Sequence, residues 1–364
     1  MENEMKLSTA TGMTNCHTHI FTADHVPERF LPLRLVRWLA RKKHFKWFAW
    51  ILNNLNPFSR NDLLERYVSF MRQGMEKTQE GILRNLMDFY PSDTKFVILT
   101  MDMEYMNAGN PKKSYTEQLD EIVKLLPAYH DRLYPFVFSD PRRPDLFDFV
   151  RKYIESGFRG IKIYPPLGYF PFDERLNPVY EYAVAHSLPV TTHCSTGGIY
   201  TRESRKNLPC LHPVTGKKMK WQNRKSYVHQ FTDPDNFRIL LERFPELKVC
   251  FGHFGGTDEM DKFLAAENWN EMNETWFQKI KELLKEFPNT YADISFTKVD
   301  MSLIPLINAT IESPLFKEKI LFGTDFYMNK IEGNESKFSI YLRDALGNSN
   351  FQQIAVKNPQ TFLK

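Results

Sequence analysis

Short apolar stretches recur along the chain, and longer stretches with helical periodicity lie between most of them. Apolar runs of this length, bounded by turn residues, are typical of buried β-strands. Strands that alternate with helices indicate βα units and a parallel sheet. The pattern predicts eight strands, at residues 13–17, 95–101, 133–138, 158–164, 188–193, 247–253, 290–295 and 319–325. Eight such units make a closed (β/α)8 TIM barrel, whose chemistry lies at the carboxyl ends of the strands.

Two connections are too long for a minimal barrel. The first predicted strand is followed by an insertion, residues 21–93, in which residues 30–55 are rich in tryptophan, phenylalanine, leucine, arginine and lysine. We interpret it as a helical cap on the barrel or as a contact between subunits, with a helix on a membrane surface as the alternative. The fifth strand is followed by residues 196–230, which contain eight lysines and arginines. This basic connection is either a solvated surface loop or a lid that attracts an anionic substrate.

The composition is that of an ordinary globular protein. With 364 residues the chain could form two average domains, but one barrel with insertions has the same length, and we expect a single domain over residues 1–364. The net charge of +4 gives no reason to expect nucleic-acid binding and suggests at most a slight preference for anionic substrates.

The cysteines and the apolar stretches bear on the compartment. Four cysteines without a C-x-x-C spacing are typical of free thiols in a reducing cytosol. Residues 1–11 lack the apolar core of a signal peptide, and no stretch reaches the roughly 18 uncharged apolar residues of a spanning helix. We therefore expect a cytoplasmic protein.

His17 and His19 stand at the end of the first predicted strand, separated by one residue. Because residues two apart on a strand point to the same face, both imidazoles can reach one metal ion. The neighbouring Cys16 would then point to the opposite face and serve only in packing. A lone His-x-His is weak evidence, since exposed pairs of this kind are common.

Further candidate ligands end other predicted strands: His193 ends the fifth, His253 the sixth and Asp325 the eighth. Any one histidine alone could be a core residue satisfied by a hydrogen bond, and Asp325 alone could cap the following helix. Four histidines at strand ends make the core interpretation a poor one. A carboxylate after a buried apolar strand is costly unless it is paired or bound to a cation. Three imidazoles and one carboxylate would suit Zn²⁺ and would also accept Mn²⁺ or Fe²⁺.

Lys162 stands between two isoleucines in the fourth predicted strand. By alternation, Lys162 points into the barrel if the isoleucines face the helices. A buried ammonium group needs an acidic partner such as Asp293 of the seventh strand, a substrate anion, or conversion to a carbamate that bridges two metal ions. The residues alone leave these three interpretations open.

Five ordered motifs resemble those of the amidohydrolase superfamily, most closely its amidohydrolase-related (type 2) branch of metal-dependent TIM-barrel hydrolases and decarboxylases. They are His17-Thr18-His19, residues 160–165, residues 188–193, residues 243–248 leading to Gly252-His253-Phe254-Gly255-Gly256, and residues 321–325. The closing segment, residues 354–359, is also similar to that branch. The two long connections are where this chain departs from a minimal member.

The resemblance implies a distorted (β/α)8 barrel with one divalent metal ion, Zn²⁺ before Mn²⁺ or Fe²⁺. It implies metal ligands at His17, His19, His193 and Asp325. His253 matches a catalytic histidine of the family. Lys162 matches the bridging lysine of binuclear relatives, so a second metal ion would require its carbamylation.

We therefore expect a metal-dependent hydrolase that activates a water to attack a C–N or C–O bond of a small, anionic substrate. Asp325 would accept the proton of the attacking water, His253 would polarise the substrate carbonyl, and Lys162 could hold a carboxylate. Because the branch includes carboxy-lyases, non-hydrolytic decarboxylation of a small aromatic or unsaturated carboxylic acid is the alternative, and a non-catalytic metal-binding scaffold is the third interpretation. As partners we expect a small-molecule substrate, no nucleic acid and further copies of the chain in a homo-oligomer, with membrane contact through residues 30–55 as the alternative role of that stretch.

Overall fold

The computed structural model describes residues 12–30, 76–295, 302–326 and 335–364. Within them, eight parallel strands form one sheet in which each strand pairs with the next along the chain. The strands are β1 (Thr14–Thr18), β2 (Lys95–Leu99), β3 (Leu133–Phe138), β4 (Gly160–Ile163), β5 (Val190–Ser195), β6 (Val249–Gly255), β7 (Thr290–Asp293) and β8 (Ile320–Leu321). Each lies in or overlaps one of the eight apolar stretches of the sequence, so the predicted (β/α)8 barrel is confirmed.

The barrel closes between the chain beyond β8 and β1. The carbonyl of Phe322 accepts a hydrogen bond from the amide of Cys16 at 2.8 Å, and the carbonyl of Phe326 accepts one from the amide of His19 at 2.5 Å. Thr18 and Phe326 form an isolated parallel bridge. The eighth strand is shorter than predicted. The amide of Phe322, just beyond it, donates to the carbonyl of Ile354 at 2.9 Å and not to a strand, and Asp325 has φ 58°.

The helices surround the sheet, and most of them bury one face. The helix Tyr115–Tyr129, for example, begins with a capping box between Ser114 and Glu117. It buries Tyr115, Leu119 and Ile122, which share one helical face. The helices are α1 (Gln79–Met87), α2 (Tyr115–Tyr129), α3 (Leu146–Glu155), α4 (Asn177–Ala185), α5 (Arg224–Thr232), α6 (Asp235–Arg243), α7 (Thr257–Ala265), α8 (Trp269–Glu274), α9 (Trp276–Glu286), α10 (Ile304–Glu312), α11 (Glu335–Gln352) and α12 (Asn358–Phe362).

Two layers of apolar side chains hold this architecture together. The larger lies between the sheet and the helices. The smaller joins side chains from six strands with one from the last helix, and only the barrel interior brings so many strands together. Its buried members are Cys16, Val97, Leu99, Phe136, Cys250, Tyr291, Leu321 and Phe362.

The basic connection after β5 packs on the carboxyl ends of other strands. The amide of Thr201 donates to the carbonyl of Pro166 at 3.0 Å, and the amide of Arg202 donates to the carbonyl of Met106 at 2.7 Å. Residues 196–230 therefore cover loops that follow β4 and β2, on the face where the site lies. Residues 31–75 of the predicted insertion, including almost all of residues 30–55, lie outside the described residues.

Among the helices of the described ranges, none combines the length and the apolar character needed to cross a bilayer.

Candidate metal centre

The imidazoles of His17 and His19 and the carboxylate of Asp325 converge at the carboxyl ends of β1 and β8. Asp325 Oδ1 lies 3.0 Å from His19 Nε2 and 3.5 Å from His17 Nε2. All three side chains are buried. Their donor atoms lie within 4.8 Å of one another, a spacing that allows one metal ion to contact all three.

Each of the two imidazoles is fixed at its other ring nitrogen. His17 Nδ1 lies 2.8 Å from Asp293 Oδ2, and His19 Nδ1 lies 2.7 Å from the carbonyl oxygen of Leu99. Because a carboxylate and a carbonyl only accept hydrogen bonds, Nδ1 is the donor in each neutral ring and Nε2 presents its lone pair to Asp325. Metal-binding histidines are commonly oriented in this way.

The donor set itself fits a cation. Two Nε2 lone pairs and a carboxylate oxygen at 3.0 and 3.5 Å repel one another unless a proton or a metal ion lies between them. Burial alone would raise the pKa of Asp325, but the neighbouring imidazoles of His19, His253 and His17, each of which stabilises the ionised carboxylate when it carries a proton toward it, outweigh burial and lower this pKa. Asp325 is therefore ionised and available as a ligand at neutral pH.

A register irregularity in β1 explains why the strand sends consecutive side chains inward. Asn15 pairs with Phe96 and Thr18 pairs with Ile98, so β1 has one more residue than β2 between these two pairs. A bulge of this kind breaks strict alternation. Cys16, which alternation predicted to point away from the metal, lies in the interior apolar cluster below the site. Its role as a packing thiol stays a prediction.

Asp293, at the end of β7, holds several residues of the site by hydrogen bonds. Besides His17 Nδ1, its carboxylate accepts hydrogen bonds from the amide of His253 at 3.1 Å, the amide of Ser295 at 3.0 Å and the Ser295 hydroxyl. It is fully buried. Burial alone would raise the pKa of Asp293, but the charge of His17 and these hydrogen bonds lower it well below its usual range.

Sequence reasoning considered Asp293 only as a partner for Lys162 and missed this role. A partial signal was present, since Asp293 lies near the end of the seventh predicted strand, residues 290–295, and Asp325 ends the eighth. Ser295 was missed entirely. Its hydroxyl lies 3.1 Å from His17 Nδ1 and 2.9 Å from His253 Nδ1, and it therefore links two strand ends.

His253 and His193 lie beside the centre and contact each other. His253 Nε2 is 3.1 Å from His193 Nδ1, and His193 Nε2 is 3.1 Å from the carbonyl of Gly197. Burial, followed by the charge of His17, lowers the pKa of His253 to about 4. Burial, followed by the charge of His253, lowers the pKa of His193 well below its usual value. Both rings are therefore neutral at neutral pH.

The structure brings three of the four predicted ligands together and leaves the fourth, His193, outside the group. His17, His19 and Asp325 form one group of donor atoms within 4.8 Å, and His17, His253 and Asp293 form another. His193 belongs to neither group and instead bonds to His253. The ligand roles of His17, His19, Asp325 and His193 stay predictions, and the geometry brings the first three together.

Lys162 projects into the barrel, as alternation predicted, and is 2% exposed. Among the described residues it makes no ion pair within 4.0 Å, and Asp293 is bonded to His17 instead. Burial lowers the pKa of Lys162 to about 8, opposed by the charges of Asp293 and Asp325. Its Nζ lies 5.9 Å from the centre of the Tyr164 ring. A buried cation beside the metal centre is thus available to an anionic group.

Glycines allow the close approach of neighbouring strands around His17. A Cβ at Gly323 would lie 2.8 Å from the Cβ of His17 and 3.2 Å from that of Ser295. A Cβ at Gly252 would lie 3.0 Å from His17 Cε1 and 2.8 Å from the carbonyl of Thr192. Both positions need glycine because real Cβ atoms do not approach so closely.

A buried polar network supports the end of β8. Asn15 Nδ2 donates to the Thr324 hydroxyl at 2.8 Å and to the Tyr90 hydroxyl at 3.1 Å. The hydroxyls of Thr324 and Tyr90 both donate to Glu335 Oε1, at 2.7 and 2.6 Å. Since Thr324 precedes Asp325, this network fixes the backbone that carries a candidate ligand.

A (β/α)8 barrel with imidazoles and carboxylates at the carboxyl ends of its strands belongs to the class of barrel enzymes that act at that face. Within this class, the family model described as "Amidohydrolase" (Amidohydro_2) matches residues 86–364. The chain therefore belongs to this amidohydrolase family, as the motifs predicted. The match begins after β1, so His17 and His19 lie before it. No curated protein matches the sequence.

Solved structures show the same fold at low sequence identity. An uncharacterised TIM-barrel protein from Bordetella bronchiseptica has a TM-score of 0.56 and 15% identity, over 96% of this chain and 98% of its own. A probable 2-pyrone-4,6-dicarboxylic acid hydrolase from Acinetobacter baumannii has a TM-score of 0.56 and 12% identity, over 97% and 99%.

A third structure carries a metal ion. The 5-carboxyvanillate decarboxylase of Novosphingobium aromaticivorans, solved with manganese and 4-hydroxy-3-methoxy-5-nitrobenzoic acid, has a TM-score of 0.56 and 14% identity, over 97% and 96%. At such identities these likenesses show the shared barrel alone. The family includes enzymes of more than one reaction type, so membership does not select the reaction.

Proposed function

We propose that the protein is a metal-dependent hydrolase that attacks a C–N or C–O bond of a small, anionic substrate. The observation that supports this proposal best is the convergence of His17 Nε2, His19 Nε2 and Asp325 on one point, with both Nδ1 atoms held by acceptors. Zn²⁺ suits this N/O set, and Mn²⁺ or Fe²⁺ would also be accepted. A divalent ion there would act as a Lewis acid and would lower the pKa of a water toward neutrality.

Side chains of the protein would carry out the proton transfer and stabilise the transition state. Asp325 would take the proton of the attacking water and return it to the leaving group, a role open to a carboxylate that is ionised at neutral pH. His253 is neutral and buried, and its Nε2 now lies 3.1 Å from His193 Nδ1. The N–H of this ring would turn from His193 to a substrate oxygen whose charge grows in the transition state.

Lys162 would hold the anionic group of the substrate. It is the buried cation of the barrel interior in the described part of the chain, and its pKa of about 8 leaves it mostly protonated at neutral pH. An ion pair with a substrate carboxylate would offset the cost of burying its charge. Carbamylation of Lys162 and a second metal ion would be a different use of the same position.

The proposal is tested with metal-loaded protein and carboxylate-bearing amides, esters and lactones in water enriched in oxygen-18. Hydrolysis incorporates one labelled oxygen into the product, detected by mass spectrometry. The variant Asp325→Asn should lose turnover while keeping part of the bound metal, because the two imidazoles stay in place. The matched variant Asp233→Asn, whose carboxylate pairs with Lys279 away from the centre, should keep both. Full activity of Asp325→Asn would remove this carboxylate from the mechanism.

Decarboxylation of a small aromatic or unsaturated carboxylic acid is the second candidate. It is favoured by the likeness to the 5-carboxyvanillate decarboxylase and to a 2,6-dihydroxybenzoate decarboxylase with a TM-score of 0.51. A carboxylate held next to Lys162 would suit this reaction equally well. Stoichiometric release of CO2 from hydroxybenzoates, without labelled oxygen in the aromatic product, would support decarboxylation over hydrolysis.

A further inference from the structure

One part of the connection after β5 concentrates positive charge without an acid within it. Residues 204–232 contain seven lysines and arginines and no aspartate or glutamate. The whole chain carries a net charge of only +4, so this one segment exceeds the net charge of the protein. Ordinary solvated surfaces mix both signs of charge, and a segment of one sign indicates an interaction with an anionic partner.

Six of these cations reach solvent and are not neutralised by neighbours. They are exposed, and none makes an ion pair within 4.0 Å with another residue of the described ranges. The six are Arg205, Lys206, Lys217, Lys218, Lys220 and Lys225. The seventh, Arg224, is half-buried and donates to the carbonyl of Glu203. The patch is therefore available to an external anion.

The patch also presents exposed apolar side chains on an ordered turn. Leu211 and Lys218 form an antiparallel bridge, and the amide of His212 donates to the carbonyl of Lys217 at 2.8 Å. The turn between them is fixed by His212 Nδ1, which accepts from the amides of Val214 and Thr215. Leu211 is 52% exposed and Val214 is 58% exposed. Aliphatic groups thus stand directly beside Lys217 and Lys218.

We propose that residues 205–225 form a docking surface for anionic phospholipid bilayers. Aliphatic side chains flanked by lysines suit the boundary between headgroups and acyl chains, where the apolar groups enter and the cations meet lipid phosphates. Nucleic acids would instead favour aromatic groups for stacking, and the exposed tip offers Leu211 and Val214. The inference does not depend on the reaction proposed above.

The position of the patch in the fold decides how the protein would lie on the bilayer. The patch belongs to the connection of residues 196–230, which starts at the carboxyl end of β5 and packs through Thr201 and Arg202 on loops that follow β4 and β2. Arg202 Nη2 donates to the carbonyl of Phe30 at 2.7 Å, which places Phe30 beside the same connection. Docking would therefore turn the carboxyl ends of the strands, with the candidate metal centre, toward the lipid.

The test measures binding to vesicles of phosphatidylcholine alone or mixed with phosphatidylserine, by cosedimentation at low and high salt. We expect binding only to vesicles with phosphatidylserine and a marked loss at high salt. Each lysine near such a surface changes the partition coefficient about fivefold, so Lys217→Glu with Lys218→Glu should lower it by at least about 25-fold. Leu211→Ser with Val214→Ser should weaken the binding that persists at high salt.

The matched control carries the same charge change elsewhere: Lys124→Glu on α2 with Lys317→Glu, which precedes β8 at the opposite end of the barrel. All variants alter exposed side chains, and near-UV circular dichroism checks that each is folded. The control pair should bind nearly as the parent protein does. Absence of vesicle binding, binding that the Lys217 and Lys218 changes leave intact, an equal loss in the control, or binding to duplex DNA in place of vesicles would each overturn the proposal.

Discussion

Replacing Asp293 by Asn tests whether the orientation of His17 sets the affinity of the metal centre. The carboxylate receives His17 Nδ1–H at 2.8 Å and further hydrogen bonds from the amides of His253 and Ser295, from the Ser295 hydroxyl and from the thiol of Cys250. An asparagine keeps the shape but has one oxygen that accepts and one amino group that only donates. The variant therefore turns a donor toward at least one buried donor.

The expected loss of metal affinity follows from the hydrogen bonds that the Asp293 carboxylate makes. Loss of the partner that orients a metal-binding histidine typically weakens metal affinity about 10- to 100-fold, equivalent to about 1.4 to 2.7 kcal/mol. Because Asp293 also fixes the backbone of His253, we expect the upper part of that range. A buried donor left without an acceptor costs about 1 to 3 kcal/mol, so the metal-free variant should also unfold more easily.

The assay is a competition for Zn²⁺ between the protein and a chromogenic chelator, with urea unfolding of the metal-free protein beside it. Asp233→Asn is the control, because it makes the same chemical change at an ion pair outside the site. It should leave the Zn²⁺ affinity unchanged. If Asp293→Asn binds Zn²⁺ as tightly as the parent protein, the Asp293–His17 contact does not orient a ligand and the reasoning fails.

Two further variants probe packing and titration. Gly323→Ala would place a Cβ 2.8 Å from the Cβ of His17, so we expect a loss of about 1 to 3 kcal/mol in the free energy of unfolding and weaker Zn²⁺ binding. Gly197→Ala, whose Cβ would lie no closer than 3.6 Å to its neighbours, should cost much less in urea unfolding, and equal losses would contradict the packing argument. Burial lowers the pKa of His25 to about 4, so between pH 6.5 and 4 the unfolded chain binds a proton that the folded chain does not. The free energy of unfolding should fall as the pH drops through this window, by up to about 3 kcal/mol. His25→Gln should remove this part of the pH dependence. An unchanged pH dependence in the variant would show that His25 is not its source.

The sequence predicted the barrel well because its signals are local. Each strand is a short apolar stretch that is followed along the chain by a helical stretch. Eight such stretches can therefore be counted without knowing which strands pair. The candidate ligands were found for the same reason, since His17, His19 and Asp325 all stand at strand ends. Placement at a common edge of a barrel is enough to bring such residues near one another.

Contacts that depend on strand register and on backbone irregularity could not be predicted from the sequence. Alternation predicted that Cys16 points away from the metal, but it could not show that the irregular pairing of β1 with β2 places this thiol in the interior cluster. Asp293 and Asp325 both lie in the last part of predicted strands, and only the pairing of those strands shows that Asp293 bonds to His17 Nδ1. The hydrogen bond of His193 to His253 depends likewise on the relative depth of two strands.

The seam that closes the barrel and the candidate metal centre are built from the same residues. The amide of Asp325 donates to the carbonyl of His17 at 2.8 Å, while the side chains of both point to the proposed cation. Asp325 has φ 58°, a conformation that costs a residue with a Cβ roughly 1 to 2 kcal/mol. His17 and His19, two residues apart, can share a face of a regular strand without such a cost. The positive φ of Asp325 is therefore the local cost of bringing the acid to the two imidazoles of β1.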